Sequence, residues 1–594
     1  MNRSHTMKLF DKNALPPKQE ALCFANENLA EWNARIPLTD AEKADIERLK
    51  TKEEYFIQRF LTLLPFGTAG LRGEMVPGCS AMNRATVALT TLAMAETVLE
   101  AGGGDKGIIV GFDSRLHSAE FARLAAEILA VKGIRVYLFD ELRPTPELSF
   151  SIRRLGCQAG INITASHNPK KDNGYKVYWN DGAQLPPEQA KQVAAKAMSM
   201  DFWAGLEIAA KFDAAAQKNL HILDRSADEY YFDTLLSLRI IPDLPAGAKD
   251  ISILYSPLHG AGYRIVPEIL RRAGFTRVTS VPSQATPDGT FPTAAKPNPQ
   301  FPEVFEPGIT LAKETNASLI IATDPDADRS GLALQNADGS FVTLNGDQIG
   351  ILLLDYIIKG RLLSQSMPEK PFVIISIVTS PLVDRICEQY TIPLYHVYTG
   401  FKYIGEKIRE KEDFGGETCI FAYEESHGYL PGSYCRDKDG VAASLLIAEM
   451  AAFHSTQGMT CADAIDAIYA QYGYIGDFQD AIIIHAADPM IKAAIIMEKL
   501  HQNPPVEFDG VKVAHINDYL SSTRTCLTSG HVSPITLSSD NVISFELTDG
   551  CRITARPSGT EPLIKFYYSI PAKNQKAALV RRHAFKAALE SMME

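Results

Sequence analysis

The residues GIIVGFDSR (107–115), SAEFARLAAEILAVKG (118–133) and IRVYLFD (134–140) set the architecture. The first is an apolar, β-branched run that ends in a polar loop. The second repeats apolar residues at helical spacing and stops at Gly133. The third is again a short apolar run. Strand, helix and strand within so short a span is a βαβ unit of a mostly parallel sheet. The pattern recurs. DISILYSPLHGAG, YRIVPEILRRAG and FTRVTSVP form a second unit over 250–282, and PFVIISIVTS, PLVDRICEQYTI and PLYHVYTG a third over 371–400. Identity between the units is weak, so the repeat is one of pattern.

The flanks differ. LTDAEKADIERLK (38–50) reads as an amphipathic helix capped by Thr39 or Asp40. Near the C-terminus, VISFELTDG and CRITARPSG (542–559) read as a hairpin about Asp549-Gly550, followed by a helix over 573–594. The expected fold is therefore α/β: three similar mixed-sheet domains plus a C-terminal α+β domain. The expected segments are a helical lead-in over 1–50, then domains over 51–205, 206–335, 336–475 and 476–594. Linkers are expected near 200–225 and 335–345, the latter after the turn signal Asn336-Ala337-Asp338-Gly339.

A chain of 594 residues exceeds one hydrophobic core. Its net charge of −12 argues against broad binding to nucleic acid or anionic membranes, though a local basic pocket can still take a phosphorylated small molecule. Nine scattered cysteines without a C-x-x-C pair or zinc spacing read as reduced thiols. The start, MNRSHTMKLF, lacks an apolar run after it, and the longest apolar runs are too short to span a bilayer. The expectation is a cytoplasmic protein that binds neither nucleic acid nor membrane. Nothing in the sequence sets an oligomeric state.

Four loops carry candidate chemistry. TASHNPKKDNGYK (164–176) lies between the strands AGINIT and YKVYW and presents Ser166, His167 and Lys176. A lone serine is a poor nucleophile and needs activation, and no G-x-S-x-G elbow is present. ASLIIATDPDADRSG (317–331) runs an apolar strand into Asp324, Asp326 and Asp328. Three carboxylates so close repel one another unless a cation sits among them, and Mg²⁺ suits a site that also holds phosphate. An EF-hand is ruled out by Arg329 and Gln335 at the positions for glycine and glutamate. Asp326-Ala-Asp328-Arg-Ser330 is close to the D-x-D-x-T pattern of aspartyl-phosphate phosphatases, but that reading leaves the serine loop unexplained. FAYEESHGYLPG (421–432) offers Glu424 and Ser426, groups suited to sugar hydroxyls. RPSGTEPLIKFY (556–567) offers Arg556, Ser558, Gly559 and Thr560, a nest for a phosphate dianion. Each loop alone also reads as an ordinary surface turn. One per expected domain, in order, is a far more specific pattern.

On TASHNP, DPDADR, TGFK (399–402), EESHG, RPSGT and FGTAGLRG (66–73), the chain resembles the α-D-phosphohexomutase superfamily, the phosphoglucomutases and phosphomannomutases. The resemblance implies four domains around a central cleft and an intramolecular phosphotransfer between hexose 1-phosphate and hexose 6-phosphate, most simply of glucose. It implies a phosphoserine at Ser166 and Mg²⁺ on Asp324, Asp326 and Asp328, with an oxygen of phosphorylated Ser166 as a further ligand. It also implies a sugar bisphosphate activator such as glucose 1,6-bisphosphate. Glu424 and Ser426 would bind sugar hydroxyls, and Arg556, Ser558, Gly559 and Thr560 the non-reacting phosphate. Arg72, Lys176, Lys402 and His167 would lie near the transferring group as charge or acid–base residues, with Thr399, Gly400 and Arg329 beside the substrate. DPDADR in place of DPDGDR, and YEESHG in place of a GExSGH form, lean toward the larger phosphoglucomutase branch, which leaves mannose and pentose phosphates as alternative substrates. Outside that family, the alternatives are a Mg²⁺-dependent sugar phosphatase and a non-catalytic sugar-phosphate binder.

Overall fold

The computed structural model describes residues 7–336, 338–484, 489–558 and 563–593. All three expected βαβ units form. In the first, Ile108–Phe112 and Val136–Phe139 pair in parallel around the helix Ser118–Val131. Gly133 ends that helix with φ 78°, its N–H donating to the Ala130 carbonyl, a conformation that favours glycine. In the second, Ile253–Ser256 pairs with Val278–Ser280 around Gly262–Arg272. In the third, Pro371–Ser376 pairs with Leu394–Val397 around Leu382–Gln389.

The first sheet runs, in spatial order, Leu71–Glu74, Asp172–Trp179, Ala159–Ile163, Ile108–Phe112, Val136–Phe139 and Leu220–Leu223. Its last strand and the helix Ala204–Ala209 occupy the stretch expected to be a linker, so the first sheet extends beyond residue 205. The second sheet likewise passes residue 335. The antiparallel strands Ser330–Gln335 and Phe341–Thr343 on either side of the turn signal pair within one sheet, and the Gly339 N–H donates to the Asn336 carbonyl, so the signal does not separate domains. Turn chemistry alone does not distinguish a hairpin from a domain boundary. The third sheet orders Leu394–Val397, Pro371–Ser376, Thr418–Glu424 and Gly428–Leu430.

The last sheet is antiparallel and contains the expected hairpin, with Ile543 opposite Ala555 and Gly550 at φ 84° in the turn. The helices Pro489–Gln502 and Gln575–Met593 pack on it, giving the α+β module. Its edge strand Ile475–Ile483 begins one residue before the expected start of that module. At the other end of the chain, the helix Asp40–Lys50 is capped by Thr39 in a capping box with Glu42. The lead-in continues past residue 50 as the helix Glu53–Leu61. Trp32 fastens it to the first domain, its ring 5.9 Å from Phe202 and 5.5 Å from Trp203.

The second and third domains share one continuous apolar core, in which Tyr231, Ile265, Leu353 and Phe421 all belong to a single cluster. All nine cysteines are unpaired. Among the described residues no helix is long and apolar enough to cross a membrane.

Candidate active site

The candidate residues sit where strands end. Asn162 pairs with Lys176 across the first sheet, Thr323 with Ser330 across the second, and Glu424 with Gly428 in the third. Loops beyond the carboxyl ends of parallel strands are where open α/β sheets bind ligands, because successive loops converge there.

Ser166 is 2% exposed and has φ 51°, a left-handed backbone that a non-glycine residue rarely adopts. Its N–H donates to Thr164 Oγ1 at 2.8 Å. Its Oγ donates to Asp324 Oδ2 at 2.7 Å and lies 3.1 Å from His167 Nδ1. The loop is held from beneath by Arg115, a residue that the sequence motifs do not mark. The Arg115 guanidinium donates to the carbonyls of Ser166 and Asn168, each at 2.5 Å, and of Pro169 and Asp172, each at 3.0 Å. Asp113 lies 3.4 Å from Arg115 Nε and accepts from Thr164 and Ser118. The sequence signal is slight: Arg115 closes FDSR, where a strand-end turn is the ordinary reading.

Asp324, Asp326 and Asp328 are fully buried, with one carboxylate oxygen from each lying within 4.8 Å of the others. Ala327 between them takes φ 52°. Asp324 Oδ1 accepts the backbone N–H groups of Asp328 and Arg329 at 3.1 Å. Asp326 Oδ2 accepts Thr145 at 2.7 Å and Lys176 Nζ at 2.6 Å. Asp328 Oδ2 accepts Lys176 at 3.0 Å and pairs with Lys438 at 3.0 Å. Among the described residues, Asp326 Oδ1 and Asp328 Oδ1 are buried without a hydrogen-bond partner, with Arg329 Nε 3.8 Å from Asp328 Oδ1. A buried carboxylate oxygen left unpaired is costly. Two of them in a cluster of three carboxylates, all hard oxygen donors, fit a divalent cation such as Mg²⁺.

The charges divide the cluster. Burial, with Asp328 and Asp326 alongside, pushes the carboxyl of Asp324 well above the usual range. Burial also acts to raise Asp326 and Asp328, but the lysines outweigh it. Lys176 lowers both, and Lys438 and Arg329 lower Asp328 further. Lys176 and Lys438 are in turn raised above an ordinary lysine, because their carboxylate partners overcome burial. Burial, then Arg329 and Arg72, hold His167 well below the usual imidazole value, so its ring is neutral at pH 7.

The third domain closes the site from the other side. Ser426 Oγ donates to Glu424 Oε1 at 2.9 Å, and Arg329 donates to the Ser426 carbonyl at 3.1 Å. His427 is buried at φ 67°, and its carbonyl accepts the Ser330 N–H at 3.1 Å. Lys438, also unmarked by any motif, is 6% exposed and lies between Asp328 and Asp437. A lysine between two aspartates in RDKDG reads as a solvated turn. Only the fold shows that it is buried.

Other candidates sit further out. Arg72 is exposed and reaches Asn168 Oδ1 at 3.3 Å. Lys402 Nζ donates to Thr68 Oγ1 at 3.4 Å, which ties TGFK to FGTAGLRG. Thr399 and Gly400 are half-buried at the start of the helix Phe401–Asp413, with Gly400 at φ 112°. Arg556 is the penultimate residue of the strand Arg552–Pro557, opposite Lys565. Tyr567 on the adjoining strand packs with Ile377, Val378 and Tyr398, so the fourth domain lies against the third. Ser558 donates its N–H to the Leu563 carbonyl at 3.0 Å. Gly559 and Thr560 lie outside the described residues. The three loops of the first three domains therefore meet in one place, and the fourth lies alongside.

Comparison with known proteins agrees with this assembly. Family models for phosphoglucomutase/phosphomannomutase α/β/α domains I, II and III match residues 64–202, 229–339 and 345–472. The chain belongs to the phosphoglucomutase/phosphomannomutase family, whose members are phosphohexomutase enzymes. Among individual relatives it is similar to phosphoglucomutases. The phosphoglucomutase of Staphylococcus haemolyticus (strain JCSC1435) is 36% identical over 517 residues, covering 87% of this chain and 92% of the relative. That of Staphylococcus aureus (strain bovine RF122 / ET3-1) is 36% identical over 518 residues, covering 87% and 91%. In fold, the chain resembles the open form of pp63/parafusin, a phosphoglucomutase from Paramecium, with TM-score 0.66, 18% identity and coverage of 89% and 95%. It also resembles a phosphoglucomutase/phosphomannomutase family protein from Burkholderia thailandensis, with TM-score 0.64, 18% identity and coverage of 89% and 97%.

Proposed function

We propose that the protein interconverts hexose 1-phosphate and hexose 6-phosphate, with glucose as the sugar, through a phosphoryl group carried on Ser166. The observation that supports this most directly is the 2.7 Å contact between Ser166 Oγ and Asp324 Oδ2, which joins the serine loop to the carboxylate cluster. The chain's phosphoglucomutase relatives support glucose over mannose or a pentose.

In the first half-reaction the P–O bond to Ser166 Oγ breaks and a P–O bond to a sugar hydroxyl forms. The hydroxyl proton passes to a base on the protein, for which His167 and Lys402 are the candidates, since the carboxylate partners of Lys176 keep it charged. The neutral ring of His167, 3.1 Å from Ser166 Oγ, is placed to exchange a proton with that oxygen. The bisphosphate then turns over, and its other phosphate returns to Ser166, so that atoms and charge balance over the cycle. Asp324, Asp326 and Asp328 would hold Mg²⁺, which when bound supplies positive charge to the transferring phosphoryl group. Glu424 and Ser426 orient sugar hydroxyls. Arg556 and Ser558, with Gly559 and Thr560, hold the phosphate that is not reacting. A sugar bisphosphate such as glucose 1,6-bisphosphate would load the serine when it begins unphosphorylated. Unpaired cysteines favour a reducing compartment, the cytoplasm.

A substrate panel of glucose, mannose and ribose 1-phosphates, each with its bisphosphate activator and Mg²⁺, tests the reading. Isomerisation fastest with glucose supports it. Release of inorganic phosphate without isomerisation would identify a phosphatase, and binding without turnover a sugar-phosphate binder.

A further inference from the structure

A cavity of about 410 Å³ lies along the seam between the lead-in helices and the first domain, apart from the four loops of the candidate active site. One wall, with Phe10 and Gln58, comes from residues that precede the family-matched first domain at 64–202. The opposite wall is made by Leu89 and Thr90 on the helix Arg84–Glu100 and by Val193 on the helix Pro187–Ser199. Leu71 and Cys79, both buried, also line it. Mainly apolar pockets of about 300–1,000 Å³ are the usual sites for small molecules.

Thr90 supplies the polar point of this cavity. It is 6% exposed, and its hydroxyl has no hydrogen-bond partner among the described residues. Other threonines on the same helix are satisfied locally. Thr91 Oγ1 donates to the Val87 carbonyl at 2.7 Å, and Thr97 Oγ1 to the Ala93 carbonyl at 2.9 Å. A buried hydroxyl without a partner is costly, which favours a ligand that brings one. The charged side chains that line the cavity, Asp11 and Lys12, are both exposed. A charged ligand seated deeper would lose its hydration without gaining an ion-pair partner.

The same cavity touches the glycine-rich stretch over 66–73. Leu64 and Phe66 line it, and the Leu64 N–H donates to the Cys79 carbonyl at 3.2 Å. Phe66 leads into Thr68, which meets Lys402, and Leu71 is followed by Arg72. We propose that this seam binds a neutral small molecule with an apolar body and one hydroxyl bonded to Thr90, and that its occupancy shifts the stretch carrying Thr68 and Arg72. The binding half stands on the cavity alone. The coupling half rests on the mutase reading, since it is read through KM for the sugar phosphate.

The probe is 4-propylphenol, with 4-propylbenzoate as its charged counterpart. Saturation-transfer NMR titrations on the full chain without substrate read binding, and thermal unfolding reports whether each variant is folded. The wild type is expected to bind the phenol saturably, and the benzoate at least about tenfold more weakly. Thr90→Val is expected to weaken the phenol about fivefold. Ala194→Phe places a ring into the cavity from a half-buried lining position and is expected to weaken it at least about tenfold. Saturating phenol is expected to change KM for glucose 1-phosphate about fivefold in the wild type but not in Ala194→Phe. No saturable binding to the wild type, equal binding to folded Ala194→Phe, or a benzoate as tight as the phenol would overturn the site. Unchanged affinity in Thr90→Val would overturn the role of its hydroxyl, and binding with an unchanged KM would overturn the coupling. If Thr90→Val does not fold, Ala194→Phe and the benzoate carry the test. Absence of isomerisation by the wild type counts against the mutase reading, and the binding result is read separately from it.

Discussion

At the scale of single residues, the site is built from buried groups whose partners are specified one by one. Ser166→Ala removes the oxygen that would carry the phosphoryl group and the donor to Asp324 Oδ2, so turnover is expected to fall by at least about a thousandfold, with a stability loss of only about 1–3 kcal/mol. Comparing kcat with thermal unfolding checks this. Asp326→Asn is expected to lower both the rate and the Mg²⁺ response, since Asp326 provides a partnerless oxygen to the trio and also binds Lys176. An unchanged Mg²⁺ titration would remove it from the metal set. Arg115→Met should cost about 3–5 kcal/mol, because it leaves Asp113 buried without its cation. It should also lower kcat, because four carbonyls of the serine loop lose their donor. Denaturant unfolding and steady-state kinetics on that variant separate the two effects.

Single residues also show what was legible in the sequence. Ser166, Lys176 and the three aspartates stood out because a polar, charged loop at the end of an apolar strand needs a reason. Arg115 and Lys438 did not, since an arginine in a strand-end turn and a lysine among aspartates are the ordinary composition of a surface. Their roles come from burial and long-range contact, which no local pattern encodes. The loop RPSGT reads as a phosphate nest from its residue types alone; Arg556 and Ser558 lie near the end of the strand Arg552–Pro557, while Gly559 and Thr560 lie outside the described residues.

At the scale of elements, the glycine-rich stretch FGTAGLRG is a test of geometry. Gly67 and Gly70 form a tight bridge, each N–H donating to the other's carbonyl, with Thr68 at its tip beside Lys402. Gly70 has φ 78°, and a Cβ there would lie 1.8 Å from the Tyr175 carbonyl oxygen, on the strand that carries Lys176. Gly70→Ala is expected to cost at least about 1–3 kcal/mol from backbone strain alone and to lower kcat by displacing Thr68 and Arg72. Kinetics at a temperature where the variant remains folded check this. The βαβ units were legible because apolar runs and helical spacing alternate cleanly. The strand Leu220–Leu223 was not, because its pattern is weak: His221 and Ile222 are both exposed, as an edge strand allows.

At the scale of the whole molecule, the lead-in helices and the acid response can be separated from catalysis. Trp32→Ala removes the aromatic contact with Phe202 and Trp203 and should destabilise the chain by about 3–5 kcal/mol, with kcat per folded molecule unchanged.

Buried histidines contribute to the pH response, His427 and His454 alongside His167. Burial lowers both His427 and His454 from 6.5 to about 4. The unfolded chain therefore takes up these protons at a higher pH than the folded one. The stability they allow is complete above pH 6.5 and is lost as pH falls toward 4, by up to about 3 kcal/mol for each. His454 lies away from the site, so His454→Leu should flatten the stability curve over that window while leaving activity at neutral pH intact. Chemical denaturation at a series of pH values measures it.

Four loops fell one to each expected unit, and the structure forms four sheets. The boundaries were less legible, since the chain passes from one sheet to the next through strands rather than through flexible linkers. The shared core of the second and third domains explains why no composition shift marks their junction.

The central claim is that a phosphoryl group cycles through Ser166. The most direct measurement is the mass of the peptide containing Ser166, after incubation with glucose 1,6-bisphosphate and Mg²⁺ and again after a chase with glucose 1-phosphate. One phosphoryl group is expected on Ser166, retained without substrate and lost in part during the chase as it passes to glucose 1-phosphate to give glucose 1,6-bisphosphate, with none acquired by Ser166→Ala. Isomerisation by a protein that never carries phosphate on that peptide would contradict the claim.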